Sequence, residues 1–246
     1  DVRWLWPGEL GEDIVKKDTI VLPSFTYRYH PQIRARQGIF HFSALGTRGG
    51  YGHSRQWVRH QRLQLDSMNM PGGHAFTDWW DRFHDTHPEY FALQPGGTRS
   101  GYPAPRTVKL CQSNPEVWHQ WIEDVEERLK HDPNQTVFNA SPNDGWASGH
   151  CVCKDCLAWD HPDGELRTFR WEGLGQRYVA LSDRHTTFAN QCARLLKNRY
   201  PGRQYLVLMV AYGHSRPAPI DAVPEENVII SSVANFLLRS ENKDRG

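Results

Sequence analysis

The chain has 246 residues and a mass of 28.5 kDa, enough for one large domain or two small ones and enough to bury a core without a disulfide or metal staple. Its 29 basic and 28 acidic side chains leave a net charge of +1, which provides no field to attract nucleic acid, an anionic membrane surface or another polyanion. Apolar residues make up 38%, mean hydropathy is -0.69, and no run approaches the length of a membrane-spanning helix, so such a span is excluded.

In chain order, residues 2–11 are aromatic and turn-rich, and residues 19–22 before Pro23 predict a short strand. Phe25, Tyr27 and Tyr29 alternate with Thr26, Arg28 and His30, the period of a strand. Residues 44–54 are a glycine-rich loop, residues 55–65 predict a helix around Trp57, Val58 and Leu63, and residues 71–74 must turn. Residues 107–111 predict a short strand. Ser113, Asn114, Pro115 and Glu116 then open a helix whose apolar face is Val117, Trp118, Trp121, Ile122, Val125 and Leu129. The strand at 136–140 runs into the turn 141–145, and a long loop follows. A second helix spans 182–199, with Phe188, Ala189, Cys192, Leu195 and Leu196 inward, and is stopped by residues 200–202. Strands at 204–212 and 227–236 are nearly continuously apolar, as strands buried on both faces are.

This rhythm of strands and helices predicts parallel βα units, with polar side chains gathered at the C-terminal rim of the strands. About six strands are short of a closed (β/α)8 TIM-type barrel, and a doubly wound open sheet is the structural alternative, although no GxGxxG follows any strand. The strand at 136–140 delivers Asn143 and Asp144, that at 204–211 delivers Tyr212 and His214, and that at 228–234 delivers Asn235. Arg28 and His30 leave the first strand. Such a set suits a polyhydroxylated ligand. The 10 Trp, 9 Tyr and 10 Phe, together with 13 His, fit either a core of large rings or a cleft of flat faces for sugar stacking.

Asp144 is the leading acid, because Gly145 lets the backbone turn away behind it. The competing reading is a turn whose Asp bonds its own backbone. Tyr212 either stabilises charge or packs. Glu89, between Pro88 and Tyr90, either shapes a subsite or marks a helix-to-loop transition, and His53 and His74 follow glycines on loops where backbone can approach a ligand. HExxH, Gly-x-Ser-x-Gly and Walker patterns do not occur, so the protease, lipase and nucleotidase readings lack their anchors. Cys151, Cys153 and Cys156 form C-x-C-x-x-C, with spacing that can supply thiolates to a structural zinc. A fourth ligand would come from His150, His161, Cys111 or Cys192. A local disulfide and reduced loop cysteines are the alternatives.

Taken in order, Val2-Arg-Trp-Leu-Trp-Pro-Gly-Glu-Leu-Gly11, His87-Pro-Glu-Tyr-Phe91, Leu110-Cys-Gln-Ser-Asn-Pro-Glu-Val117, Ser141-Pro-Asn-Asp-Gly145 with the cysteine motif, Phe188-Ala-Asn190 and Ala211-Tyr212 resemble domain-of-unknown-function family 4838, which overlaps glycoside hydrolase family 163. The resemblance implies a (β/α)8-type barrel at 23–246 preceded, at 1–22, by the end of a small α/β domain like that of α-glucuronidases. It implies endo-β-N-acetylglucosaminidase action on N-glycans, with retention through the substrate's acetamido group and no cofactor. Carried over, Asp144 is the acid/base or the acetamide-orienting carboxylate. Asn143 and Tyr212 hold the acetamido group, and Arg28, His74 and Trp146 bind sugar. Glu89 and Glu116 lie in family-like motifs, but neither is matched as a second carboxylate. A glycan or glycoprotein substrate implies an extracellular or periplasmic setting.

The absence of a leading Met or signal segment, and the charged run at 239–246, read as cuts through a longer protein. An open barrel exposes strand edges, which predicts poor solubility and no activity for these residues alone. Two further readings stay open beside the hydrolase: a non-catalytic carbohydrate-binding barrel, and a zinc-stabilised structural module.

Overall fold

The computed structural model describes residues 2–5, 9–21, 24, 26, 28, 57, 60, 61, 70–145, 149–171 and 174–233, in two units, Asp1–Asn69 and Met70–Gly246. In the first unit, β1 (Val2–Trp4) and β2 (Glu12–Ile14) pair antiparallel around a single 3-10 turn at Glu9–Gly11. Trp4 anchors this hairpin. Its ring stacks on His60 at 3.7 Å, and its carbonyl accepts from Trp57 Nε1 at 3.1 Å and Gln61 Nε2 at 2.6 Å. Those three residues are spaced to share one helix face. Residues 19–21 form no strand, contrary to expectation; Ile20 and Val21 are exposed, and neither pairs with a strand among the described residues. Most of the predicted alternation at 25–30 and most of the helix at 55–65 fall outside the described residues.

The second unit is built on a three-stranded parallel sheet in the order β3–β6–β7, where β3 is Val137–Asn139, β6 is Leu206–Ala211 and β7 is Val228–Ser232. After a short helix α1 (Trp79–Phe83), the chain forms α2 (Pro115–His131), which leads to β3. Asn114 caps α2 by accepting from Glu116 N at 3.0 Å, Pro115 occupies the first turn, and Arg128, Lys130 and His131 complement the dipole at the other end. A one-turn helix α3 (Lys154–Leu157) precedes α4 (Ser182–Arg199), which packs on α2 and β6. Phe76, Trp79, Val117, Trp121, Val125, Phe138, Phe188, Leu196 and Met209 meet in one core. Trp79 donates to Asp124 Oδ2 at 2.9 Å, and Trp121 donates to the Asn139 carbonyl at 2.9 Å, so these two tryptophans fill the core while their indole N–H groups are satisfied.

Three expectations change here. The long loop after residue 145 contains a hairpin, β4 (Leu166–Trp171) with β5 (Leu174–Val179), paired from Leu166↔Val179 to Trp171↔Leu174. The strand expected at 107–111 shrinks to one antiparallel bridge, Phe91↔Leu110, because Pro105 starts a 3-10 turn that runs to Thr107. β7 is partly exposed rather than buried on both faces, since β6 is its one neighbour among the described residues. The architecture is therefore mixed α/β, with a parallel sheet and antiparallel hairpins. Among the described residues the strands belong to separate sheets and no barrel closes.

Candidate functional site

The C-terminal end of β3 is fixed before it reaches the site. Asn139 Nδ2 donates to the Gly73 carbonyl at 3.0 Å, its Oδ1 accepts from Ser141 N at 2.8 Å, and Ser141 Oγ accepts from Val210 N at 3.0 Å. Asn143 follows, 5% exposed, and its amide is spent on backbone: Oδ1 accepts from Phe76 N at 3.2 Å, while Nδ2 donates to Phe76 O at 2.8 Å and Val108 O at 3.0 Å. These bonds lock the loop that presents Asp144. They use both amide hydrogens, so Asn143, which lines the pocket, could meet a ligand only by accepting at Oδ1.

Asp144 meets both of its sequence readings. Its Oδ1 accepts from Gly145 N at 2.8 Å, as in a self-bonded turn, and Gly145 adopts φ +95°, which favours glycine. Its Oδ2 faces His74 Nε2 at 3.9 Å, and the carboxyl is half exposed. Lys109, from the segment that bridges Phe91, donates to the backbone carbonyls of both Asn143 and Asp144. Burial pulls its ammonium down to a pKa of about 8, and Asp144 pulls the other way.

These groups line one pocket together with Tyr212 and His214 beyond β6, and with Arg184, His185 and Phe188 from α4. A 3-10 turn, Gly213–Ser215, sets the first pair; the Leu181 N–H donates to His214 O at 2.8 Å and joins that turn to the start of α4. His185 is driven down to a pKa of about 3, first by burial and then by Arg184, Lys109 and His214. His150 is 4% exposed, boxed by Phe169 at 4.2 Å and Trp171 at 4.3 Å, and its pKa is well below the usual value through burial and then Arg184. Neither of its ring nitrogens has a hydrogen-bond partner among the described residues.

Asp144 is the one carboxylate among the described lining residues, and their aromatic members are Phe76, Phe169, Phe188 and Tyr212. The tryptophans Trp79, Trp121 and Trp171 lie instead in the packed interior. Tyr212 and His214, expected at the strand rim, and His74, expected on a loop, line the same pocket as Asp144. Glu89 does not: it accepts from His87 Nδ1 at 3.1 Å, its carbonyl accepts from Asn114 Nδ2 at 3.2 Å, and it does not line the pocket. It belongs to the 3-10 turn Pro88–Tyr90, whose geometry satisfies it locally. Arg28 is exposed in the first unit, and His53, Trp146 and Asn235 lie outside the described residues. Sequence reasoning missed Lys109, Arg184, His185 and the pocket-facing position of His150. A lysine inside the apolar run 108–111 was the available signal for the first.

Behind the pocket lies the cysteine cluster. Cys111, Cys151, Cys153 and Cys156 hold their sulfurs within 4.8 Å of one another, and none is in a disulfide. Cys111 Sγ lies 3.7 Å from Cys153 Sγ and 3.9 Å from Cys156 Sγ. A tetrahedron with metal–sulfur bonds of about 2.3 Å has sulfur–sulfur edges of about 3.8 Å, so the spacing already suits an ion. Backbone donors point at three sites: Leu93 N to Cys151 Sγ at 3.2 Å, Ser113 N to Cys156 Sγ at 3.4 Å, and Cys156 N to Cys153 Sγ at 3.4 Å. Hydrogen bonds from Cys111 and Cys151 favour a thiolate at Cys156, while Cys151 is pushed far up by its thiol neighbours and burial. Crowded thiols resist ionising together, and a divalent ion removes that conflict. Cys111 is thus the fourth member. His161 instead faces Asp221 at 3.5 Å, and Cys192 lies in the main core.

The cluster abuts the pocket through Cys151, which lines it. Arg184 links the two: it donates to Cys151 O at 2.7 Å and makes a two-pronged pair with Asp160, Nε to Oδ1 at 2.8 Å and Nη2 to Oδ2. No curated protein and no solved structure matches the chain. The family described as "Domain of unknown function (DUF4838)" matches residues 6–242, and the chain belongs to that family.

Proposed function

We propose that this pocket is the active site of a glycoside hydrolase that cleaves N-acetylglucosamine-containing glycans with retention, in the manner of an endo-β-N-acetylglucosaminidase. The carrying observation is Asp144, the one carboxylate among the described lining residues, gathered with His74, Tyr212 and His214 beside the C-terminal ends of parallel strands β3 and β6. Retention by a carboxylate nucleophile uses two carboxyl groups about 5–5.5 Å apart. Attack by the substrate's own acetamido oxygen uses no protein nucleophile and suits a site with one carboxylate. Tyr212, half exposed at the pocket mouth, and His214 contact the sugar.

In this reading β3, β6 and β7 belong to a (β/α)8-type barrel, the family overlaps glycoside hydrolase family 163, and the protein meets its glycan outside the cell or in the periplasm. The four cysteines hold a structural zinc that stiffens the loop after Asp144 and takes no part in bond breaking. Asp144→Asn tests the assignment: hydrolysis of an N-acetylglucosamine-containing glycan is lost while the thermal transition stays in place. Full activity in that variant removes Asp144 from the chemistry. A carbohydrate-binding protein without turnover is the second reading, also favoured by a single carboxylate. It is distinguished by glycan binding, read from tryptophan fluorescence, with no product formed.

A further inference from the structure

An acetamido-assisted hydrolase needs two protein groups: one to orient the acetamide and one to protonate the leaving oxygen. With a single carboxylate among the described lining residues, Asp144 serves only one of these roles. The neighbouring histidine has the geometry for the other. His74 Nδ1 lies 2.7 Å from the Pro142 carbonyl oxygen, which can only accept, so Nδ1 carries a hydrogen and Nε2 is the ring nitrogen left to meet a substrate. Nε2 faces Asp144 Oδ2 across 3.9 Å. That gap is too long for a direct hydrogen bond, so each group is left to meet its own atom of a substrate, and the leaving oxygen and acetamide nitrogen sit on adjacent ring carbons. The histidine is also held firmly: Gly73 precedes it with φ +77°, and Ala75 N donates to Ser141 O at 3.0 Å. The other ionisable side chains among the described lining residues are Lys109, His150, Cys151, Arg184, His185, Tyr212 and His214, of which Tyr212 and His214 contact the sugar in the proposed reading. Lys109 is bound to backbone carbonyls and Arg184 to Asp160 and Cys151 O; burial keeps His150 and His185 neutral.

Resting on the glycosidase reading, we infer that His74 is the proton donor of the reaction and that Asp144 is the acetamide-orienting carboxylate. In the first half, the acetamido oxygen bonds to the anomeric carbon as the glycosidic C–O bond breaks, and the leaving oxygen takes the proton from His74 Nε2. In the second half, a water oxygen bonds to the anomeric carbon and the acetamido oxygen leaves it, while neutral Nε2 takes the water's proton. Asp144 accepts from the acetamide N–H throughout.

The test is His74→Asn in the full chain, which keeps an N–H for the Pro142 carbonyl and removes the nitrogen facing Asp144. Read in kcat/KM, which reports the first half alone, a general acid is worth about 100-fold or more on a sugar leaving group, whereas a 4-nitrophenyl leaving group, which needs no proton, loses less than about fivefold. Asp144→Asn is the control for a merely structural effect: it lowers both substrates together, because both react through the acetamido group. Equal losses for His74→Asn on the two substrates, or no loss on either, overturn the inference and leave the glycosidase reading intact. A full-length wild-type protein that cleaves neither substrate overturns both.

Discussion

The pair Arg184–Asp160 offers a perturbation whose size can be worked out. Both side chains are buried, at 1% and 2% exposure, and two guanidinium nitrogens meet two carboxyl oxygens while a third donates to Cys151 O at 2.7 Å. Arg184→Met leaves the Asp160 carboxylate without its partner in a site where burial already pushes its pKa up. Breaking one side of a buried ion pair costs about 3–5 kcal/mol. For a domain of this size each kcal/mol moves the midpoint by about 2–4 °C, which gives a fall of roughly 6–20 °C. Asp160→Asn in the same background should restore part of the loss, with a coupling energy of at least about 1 kcal/mol in a double-mutant cycle. The sign with pH follows. In Arg184→Met the Asp160 pKa is raised above its unfolded value, so the folded state holds a proton that the unfolded state releases. The deficit is therefore smaller near pH 5 than at pH 8. Denaturant titrations of the four chains at both pH values read all of this. Additive effects below about 1 kcal/mol would refute the argument that this pair is a buried, mutually dependent unit.

Elemental analysis of chain prepared without chelator should find one zinc per chain. Cobalt substitution should give the absorption of a four-thiolate tetrahedral site, and Cys111→Ser should abolish it; a cobalt signal that persists without Cys111 would exclude it as a ligand. His185, with its pKa lowered to about 3, contributes stability that is fully present above the unfolded histidine pKa of about 6.5 and is lost as pH falls towards 3. His185→Phe should flatten the acid limb of the stability profile by up to about 1.4 kcal/mol per pH unit in that window, and an unchanged slope would contradict a buried neutral ring.

Much of the framework was legible because its signals are local. Asn114 and Pro115 announce the start of α2, Ser182 that of α4, and the apolar run at 206–211 reads directly as a buried strand. The hairpin β4–β5 was not read, because Arg167 and Arg170 interrupt the apolar pattern and its buried residues, Phe169 and Trp171, gain their meaning only against His150 and Leu181. The rim position of Asp144 was readable from Gly145. The occupation of Asn143 was not, since its partner Phe76 lies 67 residues away. Cys111 lies 40 positions upstream of Cys151, in a segment with a different local signature, so the spacing of C-x-C-x-x-C could suggest an ion without naming the fourth thiol. Long-range partners settle such assignments, and periodicity carries no record of them.

The most direct test of the account is to follow hydrolysis of a β-linked N-acetylglucosamine-containing glycan by proton NMR and record the anomeric configuration of the first product. Acetamido-assisted cleavage at Asp144 predicts that the β form appears first and relaxes to the equilibrium mixture. First appearance of the α form, or glycan binding without any product, would contradict it.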